Sequence, residues 1–267
     1  MRTIGAHTFG MVWTHDAASA IDAFAALGFR DFQLMAMAPH LDPWHGSAAV
    51  DGIRRALDAC EGRVLAVDLP SSDINIASST PAAVAFAMQT YDHALSLGHA
   101  VGARWLTINS GRRHMLLPPP DERLLHVYSD ALRRIASRAD ACGMRVLIEN
   151  IPGCLLETAS ALSAFLGARE FTNVDVLYDV ANAAAVGEDP VAGLAMLEGR
   201  VAVVHLSDAP KGAWKHAPIG SGDIDFDAIR VQLDTMGYEG EVVLEIISPT
   251  PVEDLQASLD QLRQRFW

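Results

Sequence analysis

Short apolar runs alternate with longer amphipathic segments along the whole chain, and this alternation constrains the fold more than any other feature. The cycle recurs about eight times, the number of strand–helix units in a (β/α)₈ barrel. The strand-like runs are Thr3–Phe9, Phe29–Met35, Val64–Leu69, Trp105–Asn109, Arg145–Glu149, Val174–Asp179, Val201–Leu206 and Val242–Ile247. Several, such as Val201-Ala202-Val203-Val204, are almost continuously aliphatic, as strands buried on both faces of a parallel sheet should be. Between the runs, Ala17–Leu27 and Ala48–Cys60 read as helices. Val84, Met88, Tyr91 and Leu95 recur at helical spacing behind Thr80-Pro81, a cap followed by a first-turn proline. Leu124, Tyr128, Leu132, Ile135 and Ala139 form a second apolar stripe with Asp121 at its start, and Asp225 caps a helix through Leu233 that ends near Gly237.

The competing architecture is a doubly wound open sheet. It is disfavoured because Gly5-Ala6-His7-Thr8-Phe9-Gly10 does not fit GxGxxG and no GxxxxGK[ST] is present. A chain of 267 residues has the size of one barrel, and no low-complexity linker divides it. The expectation is therefore an α/β protein, a single (β/α)₈ TIM-barrel domain over residues 1–267.

Charge narrows the partners. With 33 Asp+Glu against 20 Lys+Arg, the formal charge is −13, which suits neither a nucleic-acid backbone nor an anionic membrane. Hydrophobic residues at 50% and charged residues at 20% are incompatible with disorder. No apolar signal-peptide core follows Arg2, and no run of about 18 apolar residues appears. Cys60, Cys142 and Cys154 are widely spaced and form no CxxC pair, so reduced, buried thiols in a cytoplasmic protein are expected. A homo-oligomer is compatible with all of this.

Barrel enzymes carry their chemistry at the C-terminal ends of the strands. Here four successive strand ends each deliver one metal-capable side chain: Glu149, Asp179, His205 and Glu245. One such group alone is more often a cap or a hydrogen-bonding residue; four in series are harder to explain that way. Three carboxylates gathered near apolar strands need a compensating positive charge, which a divalent cation supplies. Three oxygen-donor residues and one imidazole favour Mn²⁺, Mg²⁺ or Co²⁺; Zn²⁺ is compatible, although no cysteine cluster selects it.

Six segments, in this order and spacing, carry a family resemblance. They are Ile74-Asn75-Ile76-Ala77-Ser78, Ile148-Glu149-Asn150, Tyr178-Asp179-Val180-Ala181-Asn182, Val204-His205-Leu206-Ser207-Asp208, Pro218-Ile219-Gly220-Ser221-Gly222-Asp223-Ile224-Asp225-Phe226 and Leu244-Glu245-Ile246. Along nearly its whole length the sequence resembles the xylose-isomerase-like TIM-barrel superfamily of sugar and sugar-phosphate isomerases and epimerases. The resemblance implies that Glu149, Asp179, His205 and Glu245 bind one divalent metal, and that Glu149 and Glu245 face each other as catalytic acid/base groups. A metal chelating a carbonyl oxygen and its neighbouring hydroxyl acidifies the C–H between them and stabilises the enediolate. One glutamate then removes the proton, and return to the opposite face gives epimerisation, whereas return to the neighbouring carbon gives aldose–ketose isomerisation. The implied substrate is a small sugar, sugar phosphate or related polyhydroxy carbonyl compound. The alternatives are a dehydratase or lyase of keto-cyclitol or dehydroshikimate type, an endonuclease-IV-like DNA repair enzyme, and a non-catalytic sugar-binding barrel. The charge of −13 counts against the DNA enzyme.

The sequence departs from the family pattern at two places. Many relatives have Asp-x-x-His after strand six where this chain has Asp179-Val180-Ala181-Asn182, and an Arg two residues before Pro218 where His216 stands. Asn182 can bond a substrate hydroxyl but cannot carry a proton, and His216 lacks the guanidinium fork that grips anions. Gln33, where relatives often have Glu, and His7 at the end of strand one are candidate substrate contacts, as is Asn109 at the mouth of strand four; Asn75 is weighed beside it. Arg112 and Arg113 follow strand four and read either as an anion clamp or as a solvated loop. Trp214, between Lys211 and Lys215, is a candidate sugar-stacking residue, while Met35 and Met37 read as pocket wall. Asp208 reads as a carboxylate that orients a ligand or as a turn former.

Overall fold

The alternation closes into a barrel. The computed structural model describes residues 2–70, 73–114 and 116–267. Strands β1 (Ile4–His7), β2 (Asp31–Met35), β3 (Arg63–Asp68), β4 (Trp105–Asn109), β5 (Arg145–Glu149), β6 (Val174–Asp179), β7 (Val201–Leu206) and β8 (Glu241–Leu244) are parallel in sequence order, and β8 pairs back onto β1. The helices are α1 (Ala17–Ala26), α2 (Val50–Cys60), α3 (Pro81–Ala100), α4 (Asp121–Ala141), α5 (Ala159–Gly167), α6 (Val180–Ala185), α7 (Pro190–Met196), α8 (Phe226–Thr235) and α9 (Pro251–Gln264). Among the described residues no helix is long and apolar enough to cross a membrane.

Because successive strand residues point to opposite faces, each strand serves two cores. Val146, Ile148, Val176, Tyr178, Val204, Leu206, Val242 and Leu244 pack outward in the large core shared with the helices. Leu65, Ala66, Trp105, Leu147, Leu177, Val203 and Val243 fill the barrel interior. Below them Arg63 pairs with Asp31 at 2.6 Å and with Glu241 at 3.1 Å, and Arg145 pairs with Asp175 at 2.7 Å. These partly exposed pairs each contribute about 0–1 kcal/mol; their main effect is to close the N-terminal end with satisfied polar groups.

Several element boundaries differ from the sequence expectation. The first strand ends at His7, not Phe9, because Thr8–Met11 turns into a 3₁₀ helix whose Phe9 N–H donates to His7 Nδ1 at 3.0 Å. A 3₁₀ turn over Gly46–Ala48 delays α2 to Val50. The last strand ends at Leu244, where its ladder with β1 stops at Ala6, so Glu245 lies one residue beyond the strand. Thr80 stands at the N-cap of α3, yet its side chain accepts no capping bond. Of the cysteines only Cys154 is buried, and all three are free.

The loop after β7 is ordered from within. Asp208 and Ala217 exchange backbone hydrogen bonds at 2.8 Å, and Ile247 N–H donates to His216 O at 2.8 Å. The buried Asp208 carboxylate accepts from Gly220 and Gly222 N–H on Oδ2, and from Ala209 and Ile224 N–H on Oδ1, at 2.9–3.2 Å. A Cβ at Gly222 would run into Asp208 Oδ1 and the Ala209 backbone. Asp208 is therefore the turn former. Asp208→Ala should cost about 3 kcal/mol by stranding these amides, lowering Tm by about 6–12 °C for a chain of this size. A thermal melt within about 2 °C of wild type would show that the loop holds without the carboxylate.

Candidate metal centre

One inward step above the interior leucines and valines of β5–β8, the same alternation aims Glu149, Asp179, His205 and Glu245 at one point. One donor atom from each lies within 4.8 Å of the others. His205 Nδ1 is 3.2 Å from Glu245 Oε2 and 3.7 Å from Asp179 Oδ2. His216 Nδ1 lies 3.2 Å and 3.5 Å from the same two oxygens. Asp179, His205 and Glu245 are buried, and Glu149 is partly exposed.

This crowding drives the glutamates apart electrostatically. Burial, reinforced by the Glu245 charge, pushes the Glu149 carboxyl well up. Burial acts on Glu245 in the same direction, but His216, His7 and His205 around it prevail and hold its carboxyl well below the usual range. Burial opposes charge on His205 too, yet Glu245, Asp179 and Glu149 raise it well above an ordinary histidine.

A buried network orients the histidines from beneath. Gln33 Nε2 donates to Asp68 Oδ2 at 2.7 Å, which turns Gln33 Oε1 toward His205 Nε2 at 2.9 Å. His205 Nε2 therefore carries hydrogen, leaving Nδ1 to face the carboxylates. His7 Nδ1 accepts from Phe9 N–H, so its Nε2–H donates to Asp68 Oδ2 at 2.7 Å. Neither His7 nor Gln33 lines the cavity above the cluster. Read from the sequence as candidate substrate contacts, both are turned toward Asp68 and the donors instead: His7 Nδ1 also lies 3.7 Å from Glu245 Oε1. The sequence reading missed Asp68, the carboxylate that holds both. It was legible by the same strand-end rule, since Asp68 closes β3.

A cavity of about 400 Å³ opens over the cluster, lined by Phe9, Trp13, Met35, Met37, Asp68, Leu69, Pro70, Asp73, Thr107, Asn109, Glu149, Ile151, Asn182, Trp214, His216 and Glu245. Of the remaining candidates, Asn109, Asn182, Trp214 and His216 line it, as do Met35 and Met37. Asn109 spends its amide on the Ile74 carbonyl, the Tyr91 hydroxyl and the Gly111 N–H. Asn75 likewise bonds Ala77 N–H and the Arg112 carbonyl. Arg112 and Arg113, read either as an anion clamp or as a solvated loop, do not line the cavity. Arg113 reaches Asp121 at 3.1 Å and Glu157 at 3.9 Å, while the Arg112 guanidinium stacks 5.8 Å from the Trp214 ring centre.

The donors fit a divalent ion. Asp179 Oδ1 accepts the Asn182 N–H, but Asp179 Oδ2 is buried with no hydrogen-bond partner and points into the cluster. Such an oxygen is costly to bury unless a cation meets it. Glu149, Asp179, His205 and Glu245 would hold the ion, with mixed oxygen and nitrogen donors that suit Mn²⁺ or Co²⁺. Glu149 and His205 both keep protons to higher pH than free side chains do, and the ion must displace them. Mn²⁺ affinity should therefore rise with pH and binding should release protons. Calorimetry in buffers of different ionisation enthalpy, between about pH 5.5 and 8, checks this; pH-independent affinity would contradict it.

Comparison with known proteins identifies the family of the fold. The family described as xylose isomerase-like TIM barrel matches residues 21–265. The L-ribulose 3-epimerase of Mesorhizobium japonicum (strain LMG 29417 / CECT 9101 / MAFF 303099) is 24% identical over 100% of this chain and 89% of its own. The L-ribulose-5-phosphate 3-epimerase UlaE of Escherichia coli (strain K12) is 27% identical over 145 residues, 52% of this chain and 50% of its own, so that match spans half of each. Among solved structures, a D-tagatose 3-epimerase-like protein superposes with a TM-score of 0.84 at 18% identity, covering 99% of this chain and 100% of that one. The chain belongs to the xylose isomerase-like TIM-barrel family.

Proposed function

We propose that the protein is a divalent-metal-dependent epimerase of a small, uncharged ketose. The observation that carries this reading is the Glu149–Asp179–His205–Glu245 cluster on the floor of a cavity sized for a sugar. The similar proteins named as 3-epimerases of L-ribulose and its 5-phosphate support the reaction class. For the substrate's charge, the support is local: the cavity lining contains carboxylates and His216 but no Lys or Arg among the described residues. A phosphate there would meet carboxylates rather than a guanidinium fork.

When bound, the ion supplies positive charge beside the ketose carbonyl and its neighbouring hydroxyl, which acidifies the C–H between them. The chain's own groups do the rest. Glu149 and Glu245 act on that carbon from opposite faces: one, as carboxylate, takes its proton and keeps it, while the other, starting protonated, delivers its own proton to the opposite face. His7, His205 and His216 keep Glu245 ionised for its part. Asn182 Nδ2 donates to Glu149 Oε1 at 3.1 Å and fixes that carboxylate's orientation. The apolar walls, Phe9, Met35, Met37, Leu69 and Ile151, limit water at the exchanging carbon.

The test is a screen of unphosphorylated ketoses and their phosphates with Mn²⁺-loaded protein in D₂O, scored by deuterium at the carbon beside the carbonyl. Wild type should exchange the free ketose, with kcat/KM at least about tenfold above its phosphate, roughly one lost charge-assisted bond. Glu149→Gln and Glu245→Gln should each lower exchange by about 10²–10⁴ with the melting profile retained. Near-wild-type exchange by either variant would rule out the two-glutamate mechanism. A preference for the phosphate would overturn the substrate assignment.

A further inference from the structure

The Trp214 indole does more than line the cavity. Its Nε1–H donates to Asn182 Oδ1 at 2.7 Å, and the Asn182 Nδ2 donates in turn to Glu149 Oε1 at 3.1 Å. Asn182 is buried, and its backbone N–H is fixed on Asp179 Oδ1 at 2.7 Å. A carboxamide is ambivalent, because half a turn exchanges its acceptor for its donors, whereas an indole N–H can only donate. The indole thus selects the rotamer that presents NH₂ to Glu149; the flipped amide would set its oxygen against the carboxylate. Trp214 comes from a loop held independently by Asp208 and by the Ile247–His216 bond, so its position does not depend on Asn182. The Arg112 guanidinium supports the ring 5.8 Å from its centre, leaving the side chain half exposed.

We propose that Trp214 is a positioning residue, locking Asn182 as a hydrogen-bond donor that aims the Glu149 carboxylate at the reacting carbon. One side chain then serves as cavity wall and as the device that sets the Glu149 acid/base group. The kinetic part of this inference rests on the epimerase reading; the lock itself does not.

Two measurements separate them. In ¹⁵N-labelled protein, the resonance lost in Trp214→Phe identifies the Trp214 indole among the five tryptophans. Asn182→Ala should shift that resonance and speed its exchange with water by about tenfold or more, as expected for a freed N–H. An indole signal unmoved by Asn182→Ala overturns the lock whether or not a substrate is known. With Mn²⁺ and an exchanging ketose, Trp214→Phe keeps the ring and removes only the donor. It should lower kcat for deuterium exchange about tenfold with KM within about twofold, as for a misaligned acid/base group. The double variant should be no slower than Asn182→Ala, since both changes break one chain of bonds. A KM effect alone, or losses that multiply in the double variant, would make Trp214 a wall and nothing more. Absence of exchange by wild type on every ketose would defeat the proposed function and leave the indole signal to judge the lock.

Discussion

Three carboxylates and an imidazole with donor atoms inside 4.8 Å set the terms for everything else at the barrel mouth. Like charges about 4 Å apart repel by about 4 kcal/mol at the effective dielectric of a protein surface, and more where water is excluded. The fold answers this unevenly. His7, His205 and His216 surround Glu245 and keep it anionic, while Glu149 is pushed toward its neutral form. A bound divalent ion would replace the displaced protons and satisfy the stranded oxygen of Asp179. The ordinary task of a barrel core, burying apolar surface, is confined to the layers below.

Asp179 shows how tightly local structure and site are joined. Its Oδ1 caps α6 by accepting the Asn182 N–H, and the start of a helix is where a carboxylate is electrostatically favoured. The other oxygen is thereby held toward the cluster. Asn150 fixes the same residue's backbone from the neighbouring strand, donating to Asp179 O at 2.9 Å and accepting from its N–H at 2.7 Å. Removing the carboxylate would therefore take away the helix cap and the donor together while leaving the Asn150 backbone bonds in place.

Much of this was legible in the sequence because it follows from period-two alternation. Strands β4 to β7 end where the aliphatic runs meet Asn109, Glu149, Asp179 and Leu206, and the bounds read from sequence coincide with those of the fold. The four donors emerged from the same rule. Strand β8 was read too long because Glu245-Ile246-Ile247 continues the apolar run, whereas its partner β1 turns away after His7. What pattern does not carry is depth and pairing. His7 and Gln33 point inward like the donors, yet only the folded distances show that Asp68 joins them. Arg112-Arg113 stays open between clamp and loop in the sequence because nothing local reveals that Asp121 and Glu157 arrive from other segments to claim Arg113.

Asn182 and His216 act together on the mouth. Asn182 adds no charge and is itself held by Trp214, while His216 offers an imidazole bonded to Ser207 Oγ at 3.1 Å where a guanidinium would reach outward. The cavity that results is two-sided. Its floor holds Asp68, Glu149, His216 and Glu245, and its walls are Phe9, Trp13, Met35, Met37, Leu69, Ile151 and Trp214. A ketose is two-sided in the same sense, with hydroxyls on its edges and C–H groups on its faces, and aromatic rings pack well against such C–H faces. For the proposed neutral ketose, orientation would come from matching those sides, and it would add no negative charge to a mouth already crowded with it.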